Sequence, residues 1–338
     1  MNWPLALGGL ALLLVFRTDG TPKTDDRAMP HALLLVANQY DQSLSIVDPV
    51  AGKELGRVKT QGIKGHEVIA SPDGRLAYVP IFGDSGVGQP GSNGQTIEVI
   101  DLATQKIVNT IDLGRPTRPH CAKFGPDGLL YVTAELDNSV DIIDPQSQKR
   151  VASIATERPE AHMLAITKDG KRAYTSNVGS GTVTVLDLVN RKPVIVISVA
   201  DIAQRISLSA DDRWVFTADQ KKPRLAVIDT KSNAVSTWIS LPSIGYGTAP
   251  TPDGKWLLVT LPSASQVAVV DLKEMKVART VSVSARPVEI LVGPDQPVAY
   301  VSCMGAGEVA VIDLTKWEVS KFIKTAAGAD GLAWAQRQ

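Results

Sequence analysis

A short β-branched run ending in aspartate recurs seven times along these 338 residues: SLSIVD, TIEVID, SVDIID, TVTVLD, RLAVID, QVAVVD and EVAVID. The closing residues are Asp48, Asp101, Asp144, Asp187, Asp229, Asp271 and Asp313, at steps of 53, 43, 43, 42, 42 and 42 residues. A strand-like signature at this period leaves few architectures open. A unit so short and so rich in strands cannot bury its own faces and has to stack on its neighbours. The predicted fold class is all-β, a seven-bladed β-propeller of four-stranded blades. Length alone would suggest about two domains. Seven units closing into one ring instead make a single domain over residues 31–338.

The third unit shows the blade most clearly. It reads HCAKFGPDG, LLYVTAELDN, SVDIIDPQSQ and KRVASIATERP, four strands separated by turn signals, here a to d from the channel outward. The a–b turn is Ser71-Pro72-Asp73-Gly74 in the second unit, with counterparts at Gly125-Pro126-Asp127-Gly128 and Thr251-Pro252-Asp253-Gly254. Proline presets φ at the second turn position and glycine accepts a positive φ. Asp48-Pro49 and Asp144-Pro145 open c–d turns in the same chemical idiom, so the seven aspartates are expected to be turn caps. The last segment, Asp330-Gly331-Leu332-Ala333-Trp334-Ala335, reads as a strand a with no blade after it. The first, HALLLVANQ, reads as a strand b with no strand a before it. The C-terminal strand is therefore expected to complete the N-terminal blade.

Segments such as LYVTAELDNSVDIID, AYTSNVGSGTVTVLDL and AYVSCMGAGEVAVIDL resemble the YVTN family of β-propeller repeats, over roughly residues 31–338. The resemblance implies the propeller fold and says little about chemistry, because function resides in sites grafted onto folds.

Lys+Arg and Asp+Glu are both 35, and no basic run is present. Nothing in the charge favours nucleic acid or an anionic membrane. Cys121 and Cys303 lie in different units and read as free thiols. The 13-residue apolar run PLALGGLALLLVF, residues 4–16, is too short for an easy span and has the length of a signal-peptide core. No Lys or Arg precedes it and no clean small-x-small site follows. An uncleaved anchor and a misassigned start are the other readings. Residues 1–20 are taken as a signal peptide and 21–30 as a linker. The expectation is a periplasmic or secreted monomer with no membrane span in its mature domain.

Counting back seven residues from each a–b turn aspartate gives His66, His120, His162, Arg205 (from Asp212), Tyr246 and Val288. Glu289 neighbours the last, and the closing strand offers Asp330. Three of the four histidines thus share one register, at the start of the innermost strand, where a propeller brings equivalent positions together. A histidine there can simply bond loop carbonyls. A rim of His, Arg, Tyr and acid also suits a small-molecule site. The b–c loop of the second unit, GDSGVGQPGSNGQ (residues 83–95), carries ten extra residues and is expected on the histidine face.

The segments HEVIASPDGRLAYVPIFGDSG and RPHCAKFGPDGLLYVTAELDNSV also resemble the seven-bladed lactonase family, which includes propeller phosphogluconolactonases and muconate cyclases. That likeness covers about 75 residues. It implies catalytic roles for His120, Arg205 and Glu135, while the shared register gives His66, His162, Tyr246, Glu289 and Asp330 as ligand-binding. Two site chemistries stay open. In one, His66, His120 and His162 hold a divalent metal as the unnamed cofactor, with Glu135 or Glu289. In the other, a histidine is a general base and Arg205 binds a carboxylate or oxyanion, as in a lactonase-like hydrolase or isomerase. The leading expectation is an exported propeller binding a small ligand or protein partner at its channel mouth. A non-catalytic surface scaffold is the third class.

Overall fold

A computed structural model describes Met1, residues 31–84, Gly86 and residues 89–336. The apolar run and the linker lie outside the described residues. Among these residues, strands form seven four-stranded antiparallel sheets, as the repeat predicts. In the third blade the order from channel to rim is Pro119–Phe124, Leu130–Ala134, Ser139–Asp144 and Lys149–Ala155.

Burial follows from stacking. Middle strands such as Leu130–Ala134 and Thr182–Asp187 are buried almost throughout, because both their faces meet a neighbouring blade. Rim strands such as Lys106–Asp112 alternate exposed and half-buried residues. Apolar clusters therefore lie between blades. Tyr78, Ile97 and Val99 of blade two pack with Leu130, Val132 and Ile143 of blade three. Leu34, Val36 and Val47 of blade one pack with Tyr300, Val309 and Val311 of blade seven.

The ring closes as expected. Strand Ala329–Gln336 is the innermost strand of blade one, paired antiparallel with Ala32–Asn38, so that Leu34 faces Trp334 and Ala32 faces Gln336. Trp334 Nε1 donates to Val292 O at 2.9 Å, tying the closing strand to blade seven.

The aspartates cap the c–d turns. In Asp48, Asp144, Asp229, Asp271 and Asp313, Oδ1 accepts the backbone N–H two residues on, and in Asp101 and Asp187 the N–H three residues on. The a–b turn has its own cap, a Ser or Thr hydroxyl donating to the turn aspartate two residues later. Thr167 to Asp169 (2.7 Å), Ser209 to Asp211 (2.6 Å) and Thr251 to Asp253 (2.6 Å) show the pattern. In blade five the capping residue is therefore Asp211, and Asp212 takes the left-handed position that glycine holds elsewhere, at φ 58°. This moves one reading of the site: counted from Asp211, the residue seven back is Gln204, and Arg205 stands one residue further along.

With that correction the inner-strand register runs in steps of 42: His120, His162, Gln204, Tyr246, Val288 and Asp330, with His66 in the lengthened blade two. The next residues are Glu67, Cys121, Met163, Arg205, Gly247, Glu289 and Gly331. The pairing of strands a and b slips here, between Pro119 and Ala122, Ala161 and Met163, Ala203 and Ile206, and Pro287 and Ile290. Such bulges re-aim side chains. Strand-b hydroxyls bond the inner strand at this level in blades three, six and seven. Thr133 Oγ1 accepts from Cys121 N–H and donates to His162 O in the next blade, and Thr260 does the same between Gly247 and Val288. No helix among the described residues is long and apolar enough to cross a membrane.

Candidate functional site

At one end of the channel a cavity of about 400 Å³ is lined by His66, His162, Gln204, Tyr246, Val288 and Asp330, six of the seven residues of the first register. Phe82 and Gly86 complete its wall on the blade-two side. The lengthened b–c loop thus lies on the histidine face, as expected. Gly94 N–H donates to Phe82 O (2.8 Å) and Asp84 N–H to Ser92 O (3.1 Å), folding the loop back on itself. Gly94 is fitted to that approach, since a Cβ there would lie 1.7 Å from Ile81 O. The buried Arg118 pins the loop through Asn93 Oδ1 and Gln89 O, each at 2.6 Å, with its guanidinium over the Phe82 ring.

The three histidines meet as their shared register predicts. His66 and His120 rings are edge-to-face with centroids 4.5 Å apart, and His120 and His162 stack at 3.8 Å. Each Nδ1 is engaged by an oxygen: His66 by Asp330 Oδ2 (3.2 Å), His120 by His162 O (3.1 Å) and His162 by Glu135 Oε1. His120 and His162 are each 1% exposed. Burial, then neighbouring positive charge, holds both imidazoles well below their ordinary range, so they are neutral at pH 7. Glu135 begins a short 3-10 turn, Glu135–Asp137, directly after strand b, which drops its carboxyl beneath the rim. Burial pushes it up to about 8.

Three buried atoms here have no hydrogen-bond partner among the described residues: His66 Nε2, His120 Nε2 and Glu135 Oε2. Each such orphan costs about 1–3 kcal/mol. Their donor atoms are close. One group is His66, Glu67 and His120, another His120, Glu135 and His162, and within each group the donor atoms lie within 4.8 Å of one another.

Beside the histidines, Arg205 is buried among carboxylates. Its Nη1 lies 2.7 Å from Glu67 Oε1 and also contacts Glu289, and its Nη2 donates to Asp330 Oδ1 at 3.1 Å. The Tyr246 ring lies beneath the guanidinium. Burial, and the nearby acids Glu289 and Asp330, push Glu67 up to about 7, although Arg205 pulls the other way. Arg205 thus pairs with three of the protein's own acids, while its buried Nε has no hydrogen-bond partner among the described residues. From the opposite end a second cavity of about 490 Å³ reaches Glu67, Arg205 and Glu289. The charged layer lies between the two.

All eight candidate residues, His66, His120, His162, Glu135, Arg205, Tyr246, Glu289 and Asp330, belong to one contiguous cluster. Glu67, Phe82, Arg118 and Gln204 were missed. Glu67 was findable, since it holds the register of Glu289. Gln204 was hidden by the adjacent aspartates at 211 and 212. Phe82 and Arg118 carry no motif.

Residues 116–337 match the YNCE-like beta-propeller family. The chain belongs to that family. No curated protein matches this YNCE-like propeller significantly. Solved structures similar to it include Kuenenia stuttgartiensis hydrazine synthase, at 20% identity and TM-score 0.72, covering 88% of this chain and 99% of that one. A functionally unknown protein from Desulfotomaculum acetoxidans DSM 771 gives 12% and 0.74, covering 90% and 99%. Dihydro-heme d1 dehydrogenase NirN in complex with DHE gives 18% and 0.64, covering 91% of this chain and 66% of that one. At these identities the likeness is one of fold. The local resemblance to lactonases gains no support from these matches.

Proposed function

We propose that this YNCE-like propeller is an exported binding protein that receives a small ligand at the histidine end of its channel. The observation that carries the reading is the cavity: six blades contribute the same register position to its wall, in a mixture of imidazole, amide, phenol, carboxyl and apolar surface. That mixture suits a ligand fixed by a few polar contacts within an apolar enclosure. NirN, a propeller of similar fold, is described in complex with DHE. The apolar run at residues 4–16 supports a periplasmic or secreted location. A lactonase-like reaction is disfavoured because Arg205 is already paired with three acids.

The test is a thermal-shift screen of small polar metabolites on wild type and Ser263→Trp. Ser263 is an exposed residue of the cavity rim, so the indole obstructs entry without removing a polar group from the floor. Expected is a ligand-induced rise in Tm that the variant loses, with the ligand-free Tm unchanged. Equal responses from both proteins, or no response to any compound, overturn the reading.

A further inference from the structure

We propose that the histidine end of the channel is a transition-metal site built around His120, with His66 and Glu67 on one side and His162 and Glu135 on the other as the donors within reach. The proposal rests on the binding reading above and names the chemistry of one ligand.

Proton placement carries the argument. A carbonyl oxygen can only accept, so the hydrogen bond from His120 to His162 O puts the proton on Nδ1 and leaves a lone pair on Nε2. His66 Nδ1 faces Asp330, a carboxyl that also accepts from Arg205, and its Nε2 is likewise left with a lone pair. A carbonyl or carboxyl behind Nδ1 is the arrangement that orients imidazole for a metal at Nε2. Both Nε2 atoms and Glu135 Oε2 are buried and without a partner among the described residues. The two donor groups share His120, and in each of them an ion is within reach of nitrogen from two neighbouring blades and of a carboxyl. Metal–nitrogen bonds of about 2.0–2.1 Å would need only side-chain adjustment from these separations.

Charge points the same way. Glu67, Glu289 and Asp330 surround a single arginine, so the layer beside the histidines favours a cation. Imidazole with one carboxylate suits zinc, copper, nickel or iron(II) and disfavours magnesium or calcium. His66 and His162 face the cavity, which provides the way in.

The experiment strips the full chain with a chelator and dialyses it. Zn²⁺, Cu²⁺ and Co²⁺ are then titrated in, with bound metal measured by plasma mass spectrometry and the visible Co²⁺ spectrum recorded. Expected is stoichiometric uptake by wild type and by His31→Ala, a change in the remaining histidine. His120→Gln is expected to weaken uptake by roughly 100-fold or more, since losing merely the hydrogen-bond partner behind a metal ligand costs about 10–100-fold. Circular dichroism checks folding, and Glu135→Gln and His162→Gln serve if His120→Gln does not fold. No uptake by folded wild type, or full uptake by a folded His66→Gln/His120→Gln protein, overturns the site. Ser263→Trp lies clear of the donors. A ligand response that distinguishes Ser263→Trp from wild type, without metal uptake, leaves the cavity reading standing and removes the metal.

Discussion

Each c–d turn is held by one carboxylate, and the charge on that carboxylate is part of the fold. Hydrogen bonds from Thr104 hold Asp101 below the usual carboxyl range, as those from Ser147, Asn190, Ser232 and Thr315 do for Asp144, Asp187, Asp229 and Asp313. A carboxyl depressed in the folded state stabilises above its unfolded value of about 3.9 and loses that contribution as pH falls through the folded value. Tm is therefore expected to drop between about pH 4 and pH 2 through these turns. Asp144→Asn and Asp187→Asn together keep the turn acceptor and should flatten that part of the Tm–pH curve; an unaltered curve counts against turn control. The aspartates were legible because the same residue recurs at the same step. Four residues after each of them the backbone is left-handed, at Gly52, Gln105, Gln148, Arg191, Asn233, Met275 and Trp317. Only Gly52 and Asn233 are residue types that announce this conformation. The turn imposes it on the others, so five of the seven positions were invisible.

Among the elements, the inner strands do most to set the site. Their bulges let neighbouring registers supply the histidine cluster and the charged layer, and in blades three and six a threonine of strand b ties the inner strand to the next blade. The sequence shows the spacing of these residues but not the slip in pairing, because a proline stands at it in blades three and seven and nothing comparable marks it in blades four and five. It also shows Arg205 without its partners, which come from blades two, seven and one and are distant in sequence. Removing one partner from a buried ionic cluster costs about 3–5 kcal/mol, because the remaining charges are left uncompensated. Arg205→Met is expected to lose stability on that scale in urea unfolding. Adding Glu67→Gln, Glu289→Gln and Asp330→Asn should recover much of the loss. Equal instability with and without the neutral acids would show that Arg205 acts through packing alone.

For the whole molecule, closure is the decisive contact. Strand Ala329–Gln336 supplies the innermost strand of blade one, buries Leu332, Ala333 and Ala335, and places Asp330 against Arg205 and His66. Deleting residues 329–338 should lower Tm by more than about 10 °C, given ~2–4 °C per kcal/mol for a domain approaching this size. An unchanged Tm would refute closure by this strand. The pairing of Ala32 with Gln336 has another consequence. The first and last strands are adjacent and antiparallel, so a short hairpin loop would join them without disturbing either. The chain could then be cut between any two other blades and keep all seven sheets. In that sense the propeller is a cycle that happens to be written as a line, and the place where the polypeptide begins is separable from the architecture it builds.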